Sequence, residues 1–334
     1  MKIKFKRITA LFAALAIMIT ALPLTIIPIS AAGTDGESTE YSSDGYLIVR
    51  NYRQLRLAYN GSEESKIRLG ADIDCDPEEY KPNYLTRLCP PIESDKTLDL
   101  AGYTLKKTGN KINAQDHLLS VQYSKLTIED SMGTGKMYFY AKDVAQNLFL
   151  AENRSTIVIN GGTFCYTGTN AMYCEMIKLS ASDLVINDGY FDAQIGTPIK
   201  LDNGFAGGQG TLNSTALING GTIVTTSSIE ISSIDGCAYY ASLVMTGGTV
   251  TNKSKGRVTD KTGTIISDPY FVRVKGDEAL QNKYYNITLL GGTMPLSPND
   301  IEVYYPADKA VLTSKAGTIT NSAEKVEYTT LLTA

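Results

Sequence analysis

A short pattern recurs along this chain, and a recurrence of that size constrains the fold more than any other feature of the sequence. It reads I-V-I-N-G-G-T-F from Ile157, L-V-I-N-D-G-Y-F from Leu184, A-L-I-N-G-G-T-I from Ala216, L-V-M-T-G-G-T-V from Leu243 and I-T-L-L-G-G-T-M from Ile287. Weaker copies are L-D-L-A-G-Y-T-L from Leu98, L-T-I-E-D-S-M-G from Leu126 and S-K-A-G-T-I-T near Gly317. Aligning Leu100, Ile128, Ile159, Ile186, Ile218, Met245 and Leu289 gives steps of 28, 31, 27, 32, 27 and 44 residues. A near-constant step with occasional insertions means that one small unit is stacked on copies of itself.

Each unit holds a second alternating segment upstream of the first. These are Leu118–Val121, Leu148–Leu150, Met176–Leu179, Pro198–Leu201, Ile229–Ile231 and Phe271–Val274, and a third segment follows the glycines, as in Thr163–Tyr166. Alternation with period 2 predicts strands, and the paired glycines predict sharp turns that need positive φ. The register of a leucine-rich repeat and the blade length of a propeller both fail to fit. The expected fold is all-β: a right-handed parallel β-helix with three strands per coil and about nine coils over 61–334. Leu126, Ile157, Leu184, Ala216, Leu243 and Ile287 should form one inner column, with Ile128 to Leu289 beside it. The residues between them, Thr127, Val158, Val185, Leu217, Val244 and Thr288, should then point outward. Such an aliphatic strip should be either covered by an insertion, 203–213 or 252–264, or used to bind a ligand.

Ahead of the repeats, Tyr52, Leu55, Ala58 and Tyr59 fall on one helical face, so 46–60 is expected to cap the open end of the stack. A basic start, an apolar run from Ile8 to Ile29 and small residues to Ala32 predict a cleaved signal peptide over 1–32, with a flexible segment over 33–45. Secretion follows, and membrane contact is expected only through an uncleaved leader. Removing the leader leaves 27 basic residues against 35 acidic ones, a net charge of −8. That balance argues against nucleic acid as a partner. The expected state is a monomer.

The succession I-R-L-G-A-D-I (67–73), T-L-D-L-A-G-Y-T-L (97–105) and K-L-T-I-E-D-S-M-G-T-G (125–135), followed by N-G-G-T-F coils, resembles pectin-lyase-like right-handed β-helix proteins secreted by Gram-positive gut bacteria. The resemblance covers roughly 46–300 and departs at Ala101, where an Asn or similar polar turn residue is common. It implies a fold and leaves activity open, because catalytic members cleave uronic-acid polysaccharides with either Ca²⁺-assisted elimination or paired aspartates. Hydrolase signatures such as N-T-D, adjacent Asp-Asp, G-H-G or R-I-K do not occur.

The remaining chemistry is sparse. Asp183, Asp188, Asp192 and Asp202 are the candidate Ca²⁺ ligands, although turns favour Asp whatever the function, so no metal or other cofactor is assigned. Asp72, Asp74 and Asp76 alternate as in a Ca²⁺ loop, but Pro77 and Asn83 replace its essential Gly and Glu. His117, the single imidazole, has no nucleophile at a recognisable elbow and is expected at a turn. Cys75 with Cys89, and Cys165 with Cys174, are candidate disulfides, leaving Cys237 over. Tyrosine pairs at 138/140, 239/240, 284/285 and 304/305 can stack on sugar rings. The leading functional expectation is a secreted, non-catalytic β-helix that binds polysaccharide or a cell-surface glycan or protein. Val158, Val185, Leu217, Val244, Tyr239, Tyr240, Tyr284 and Tyr285 are its candidate contact residues. The rivals are a pectate-lyase-type polysaccharide lyase and a structural spacer of a larger surface assembly.

Overall fold

The computed structural model describes residues 39–75, 88–108, 117–142, 146–169, 174–202, 212–232, 239–259, 265–267, 271–275, 283–293, 301–304, 310–314, 319–320, 325–326 and 332–333. Two compact units divide the chain, Met1–Thr39 and Glu40–Ala334. The expected leader and Cys237 lie outside the described residues.

Among the described residues the second unit is all-β apart from one helix. Its strands form mostly parallel sheets wound into a β-solenoid of about five turns. Between His117 and Asn252 consecutive strands visit three sheets in rotation. For example, Asn147–Glu152 lies in a seven-stranded sheet, Thr156–Ile159 in the twelve-stranded sheet and Thr163–Gly168 in a second seven-stranded sheet. These are called below the third, first and second sheets. Within that stretch each strand pairs in parallel with its counterpart one turn away, so its ladder bonds link neighbouring turns.

Inside, like stacks on like. Leu126, Ile157, Leu184, Ala216, Leu243 and Ile287 pair in register and are all buried. The second sheet adds Leu105, Met137, Phe164, Phe191, Ile223 and Val250, again buried, with the Phe164 and Phe191 rings stacked 4.7 Å apart. Register corrects one alignment: Leu98, not Leu100, pairs with Ile128, which puts Lys96 opposite Leu126. T-L-D-L offers two leucines at alternating positions, and the pattern alone does not choose between them.

Lys96 is nevertheless buried, at 2% exposure. Its ammonium donates to the carbonyl oxygens of Ala58, Gly61 and Glu64, at and just beyond the end of the helix Tyr52–Asn60. A cation at a helix C-terminus satisfies orphan carbonyls and meets the negative end of the helix dipole. Burial holds the Lys96 ammonium below its ordinary pKa, partly offset by the Glu64 carboxylate. At the other end of the helix Asn51 accepts from Gln54 N–H at 2.9 Å, an N-cap. Tyr52, Leu55, Ala58 and Tyr59 are the buried face, as their spacing predicts.

Turns between the first and second sheets are three residues long at 160–162, 187–189, 219–221 and 246–248. Gly221 and Gly248 take φ of 79° and 80°, open to glycine without steric cost. Packing is equally strict: a Cβ on Gly220 would lie 2.2 Å from the carbonyl oxygen of Asn187, and one on Gly247 2.2 Å from that of Asn219. Ala101, the departure from the resembled pattern, carries φ of 49° without being glycine; its N–H donates to Asp99 Oδ1 at 2.9 Å.

Candidate binding face

The outer side of the first sheet carries Thr127, Val158, Val185, Leu217, Val244 and Thr288 as adjacent positions in register. All six are half-exposed, so the strip points outward as the alternation predicts. Four consecutive aliphatics at the usual strand spacing make a ridge about 15 Å long. Of the two insertions considered as covers, 203–211 and 260–264 lie outside the described residues.

Beside the ridge, two residues along each strand, runs an amide ladder. Asn187 Nδ2 donates to Asn160 Oδ1 at 2.8 Å, Asn219 Nδ2 donates to Asn187 Oδ1 at 2.9 Å, and Thr246 Oγ1 donates to Asn219 Oδ1 at 2.7 Å. These side chains are exposed, yet each holds the next in a fixed orientation. An amide in such a chain keeps a second N–H and a second lone pair for other partners. Thr156, Asp183, Thr215 and Ser242 flank the ridge on its other side. Sequence reading gave these asparagines no role of their own; the missed signal was the same residue type at the same place in three successive repeats.

Towards the N-terminus the face changes character. Arg68 lies 4.2 Å from the ring centroid of Tyr46 and donates to Asp99 Oδ2 at 2.7 Å and to Asp44 at 2.8 and 3.0 Å. Tyr46 donates to Glu129 Oε2 at 2.8 Å. The Arg68 and Ser42 hydrogen bonds bring the Asp44 carboxyl down to about 2. Burial pushes the Asp99 carboxyl up, but the N–H groups of Ser131 and Ala101, the Ser131 side chain and Arg68 outweigh it and hold it below the usual range. Burial and the Glu129 bond push the Tyr46 phenol up to about 12.

The third sheet offers a contrasting row. Ser120, Leu150, Lys178, Lys200, Glu230 and Arg273 are adjacent in register. Three cations meet three carboxylates there. Lys200 lies 3.1 Å from Glu175 and 3.5 Å from Glu230, Arg273 lies 2.9 Å from Glu230, and Lys178 lies 3.6 Å from Asp202. Glu175, Asp202 and Arg273 are buried. Burial alone would push the Lys200 ammonium down, but Glu175, Glu230 and Asp202 raise it above its ordinary value. With each charge answered by its opposite, the row is built to hold turns together.

The structure does not bring the four aspartates together. Asp183 borders the first sheet, Asp188 sits in a turn and accepts from Gly189 N–H at 2.7 Å, Asp192 lies in the second sheet beside Gln194 at 2.8 Å, and Asp202 is in the third sheet with Ser180 at 2.7 Å. Among the described residues no group of three or more His, Cys, Asp or Glu is placed to hold a metal ion. None of Cys75, Cys89, Cys165 and Cys174 is joined in a disulfide, so neither candidate bridge is formed. Cys165 sits between inward-facing Phe164 and Tyr166, on the opposite side of the strand from the core, whereas Cys174 is buried. Burial, followed by Asp192, pushes the Cys165 thiol up, which keeps it protonated. His117 opens a strand rather than a turn and is buried; its carbonyl accepts from Lys107 Nζ at 3.1 Å.

Tyr239, Tyr240, Tyr284 and Tyr285 belong to adjacent strands, with Tyr240 paired to Tyr284 and Ala241 to Tyr285; their side chains lie outside the described residues. Tyr138 and Tyr140 are half-exposed in the second sheet, one register step from Cys165 and Thr167. Fold and face together define a mostly parallel β-solenoid with a repetitive, uncharged strip on one sheet. No protein-family model, curated protein or solved structure matches the chain.

Proposed function

We propose that this is a secreted, non-catalytic surface protein that binds a glycan through the outer face of the first sheet. The observation that carries the reading is the aliphatic ridge Val158–Val185–Leu217–Val244 with the amide ladder alongside it. A ligand that repeats at a sugar-sized interval meets one apolar contact and one oriented amide per turn. Each contact is weak, and several in series add by effective concentration. Tyr239, Tyr240, Tyr284 and Tyr285 continue the same sheet and extend the contact. The finer architecture belongs to the same proposal: a right-handed, pectin-lyase-like helix of three strands per coil and about nine coils, exported by a Gram-positive bacterium through the leader at 1–32.

The test is co-sedimentation of the mature protein with insoluble polysaccharides, beside titration of a soluble panel that includes pectate, alginate and glycosaminoglycans. Binding that Leu217→Lys abolishes, with folding intact, supports the reading. Failure to bind any member of the panel overturns it. Unsaturated product, read by its absorbance, turns the assignment to a lyase.

A further inference from the structure

We infer that Asn160 is a site of spontaneous deamidation, selected by its place at the open end of the amide ladder; the inference does not depend on what the face binds. Four Asn-Gly pairs occur, at Asn60, Asn160, Asn203 and Asn219. Asn203 lies outside the described residues, and the other three differ in how the reacting atoms are held.

In the reaction the backbone nitrogen of Gly161 attacks Asn160 Cγ. The new N–Cγ bond closes a succinimide, the Cγ–Nδ2 bond breaks, and Nδ2 leaves as ammonia with the proton that the Gly161 nitrogen gives up. Water then opens the ring at either carbonyl to aspartate or isoaspartate. Water is the only co-reactant and no oxidant is needed. Two restraints can oppose this: a hydrogen bond that holds the leaving amide, and one that holds the proton of the attacking nitrogen.

Asn219 has both. Its Nδ2 donates to Asn187 at 2.9 Å, its Oδ1 accepts from Thr246 at 2.7 Å, and Gly220 N–H donates to Ile186 O at 3.3 Å. Asn60 is held through Oδ1 by Cys89 N–H at 2.9 Å, and Gly61 N–H donates to Leu57 O at 3.0 Å. At Asn160 only Oδ1 is engaged, by Asn187 Nδ2 at 2.8 Å. Among the described residues neither its own Nδ2 nor Gly161 N–H makes a hydrogen bond, and the side chain is exposed. The cause lies one turn earlier. There the register puts Glu129, whose carboxylate accepts from Tyr46, where the later turns have an asparagine, so no matching amide sits beside Asn160.

Deamidation there sets a carboxylate, or an isoaspartate with a lengthened backbone, at the end of an otherwise neutral ladder. Gly161 also provides a control. A Cβ at that position would have its nearest neighbour, Asp130 Cβ, at 3.9 Å, which is ordinary contact, so Gly161→Ala fits the fold while crowding the attack.

The experiment incubates the folded chain at mildly alkaline pH and maps its peptides by mass spectrometry, with a denatured sample in parallel. In the folded protein Asn160 should convert about tenfold faster than Asn219 or Asn60, the factor that one retained hydrogen bond of ordinary net strength gives a rate. In the denatured sample Asn160 and Asn219 should converge, and Gly161→Ala should suppress conversion at Asn160. Equal or faster conversion of Asn219 in the folded chain overturns the inference. So does a stable Asn160, a difference that survives denaturation, or an unchanged rate in a folded Gly161→Ala.

Discussion

The outer faces of the first and third sheets are made by the same device and have opposite chemistry. Both present one residue per turn from an alternating strand, stacked in register. On the first sheet that slot holds Thr127, Val158, Val185, Leu217, Val244 and Thr288, half-exposed and uncharged. On the third it holds Lys178, Lys200, Glu230 and Arg273, with Glu175 and Asp202 buried around them and every charge paired. The lesson is that exposure and polarity are decoupled here: the bare face is the apolar one and the more buried face is ionic. Ionic residues away from water are kept only with partners, whereas aliphatics in water cost little per residue and become useful when something docks on them.

The largest effect should come from breaking what the two faces share, the inner column. Leu184→Asp places an unpaired charge among buried aliphatics, and at several kcal/mol or more it should leave no folded protein. A cooperative transition at the wild-type temperature in a thermal melt would reverse the assignment of inner and outer residues.

On the third sheet, Glu230→Leu takes away the carboxylate 2.9 Å from Arg273 and one of the two close to Lys200. About 3 kcal/mol should be lost in urea unfolding, within the range for breaking a buried pair. A loss no larger than that of a surface change would mean that the row is solvated.

Acid should act on the N-terminal part of the first sheet. Asp44 and Asp99 both have folded pKa values below their unfolded ones. Their contribution is therefore complete above about pH 4, the unfolded carboxylate range, and declines as pH falls towards the depressed values, near 2 for Asp44. Unfolding free energy measured between pH 5 and 2 should fall, and Asp99→Asn should flatten part of that slope. An identical slope in the variant would show that Asp99 does not titrate with folding.

Ala101→Gly should stabilise by about 1 kcal/mol, since the left-handed conformation penalises a Cβ and glycine removes that penalty, less its greater freedom when unfolded. Smallest of all should be Leu217→Lys, within about 0.5 kcal/mol of wild type. A loss of several kcal/mol would show the ridge to be covered and would end the comparison of a bare face with a buried one.

Much of the fold was legible because period-2 alternation and paired glycines are direct consequences of strand and turn geometry. Parity alone separates inward positions such as Ile157 from outward ones such as Val158, and Ile157 and Leu184 are both buried as expected. Three features were not legible. Lys96 occupies a core column because a helix end needs its ammonium, and that need is visible only once the helix is placed over the stack. The paired row on the third sheet was hidden because K in M-I-K-L, E in I-E-I and R in V-R-V look like ordinary polar positions until register sets them side by side. The Cys165–Cys174 pairing failed because closeness in sequence says nothing about which side of a strand each thiol occupies.

Gly220 and Gly247 each rest directly against a carbonyl of the turn before, with no room even for a methyl group. Such a contact makes the molecule countable. Insertions between repeats are taken up in other connections, but across the glycine turns a chain built this way tolerates changes of length only in whole turns: excising residues 160–186, the 27 that separate Ile159 from its partner Ile186, would set Asn187 where Asn160 had been and glycine against asparagine again. Removing a few residues more or fewer would bring a side chain onto that carbonyl. The glycine contacts thus act as a ruler, and the protein can be shortened or lengthened by editing in units of one turn.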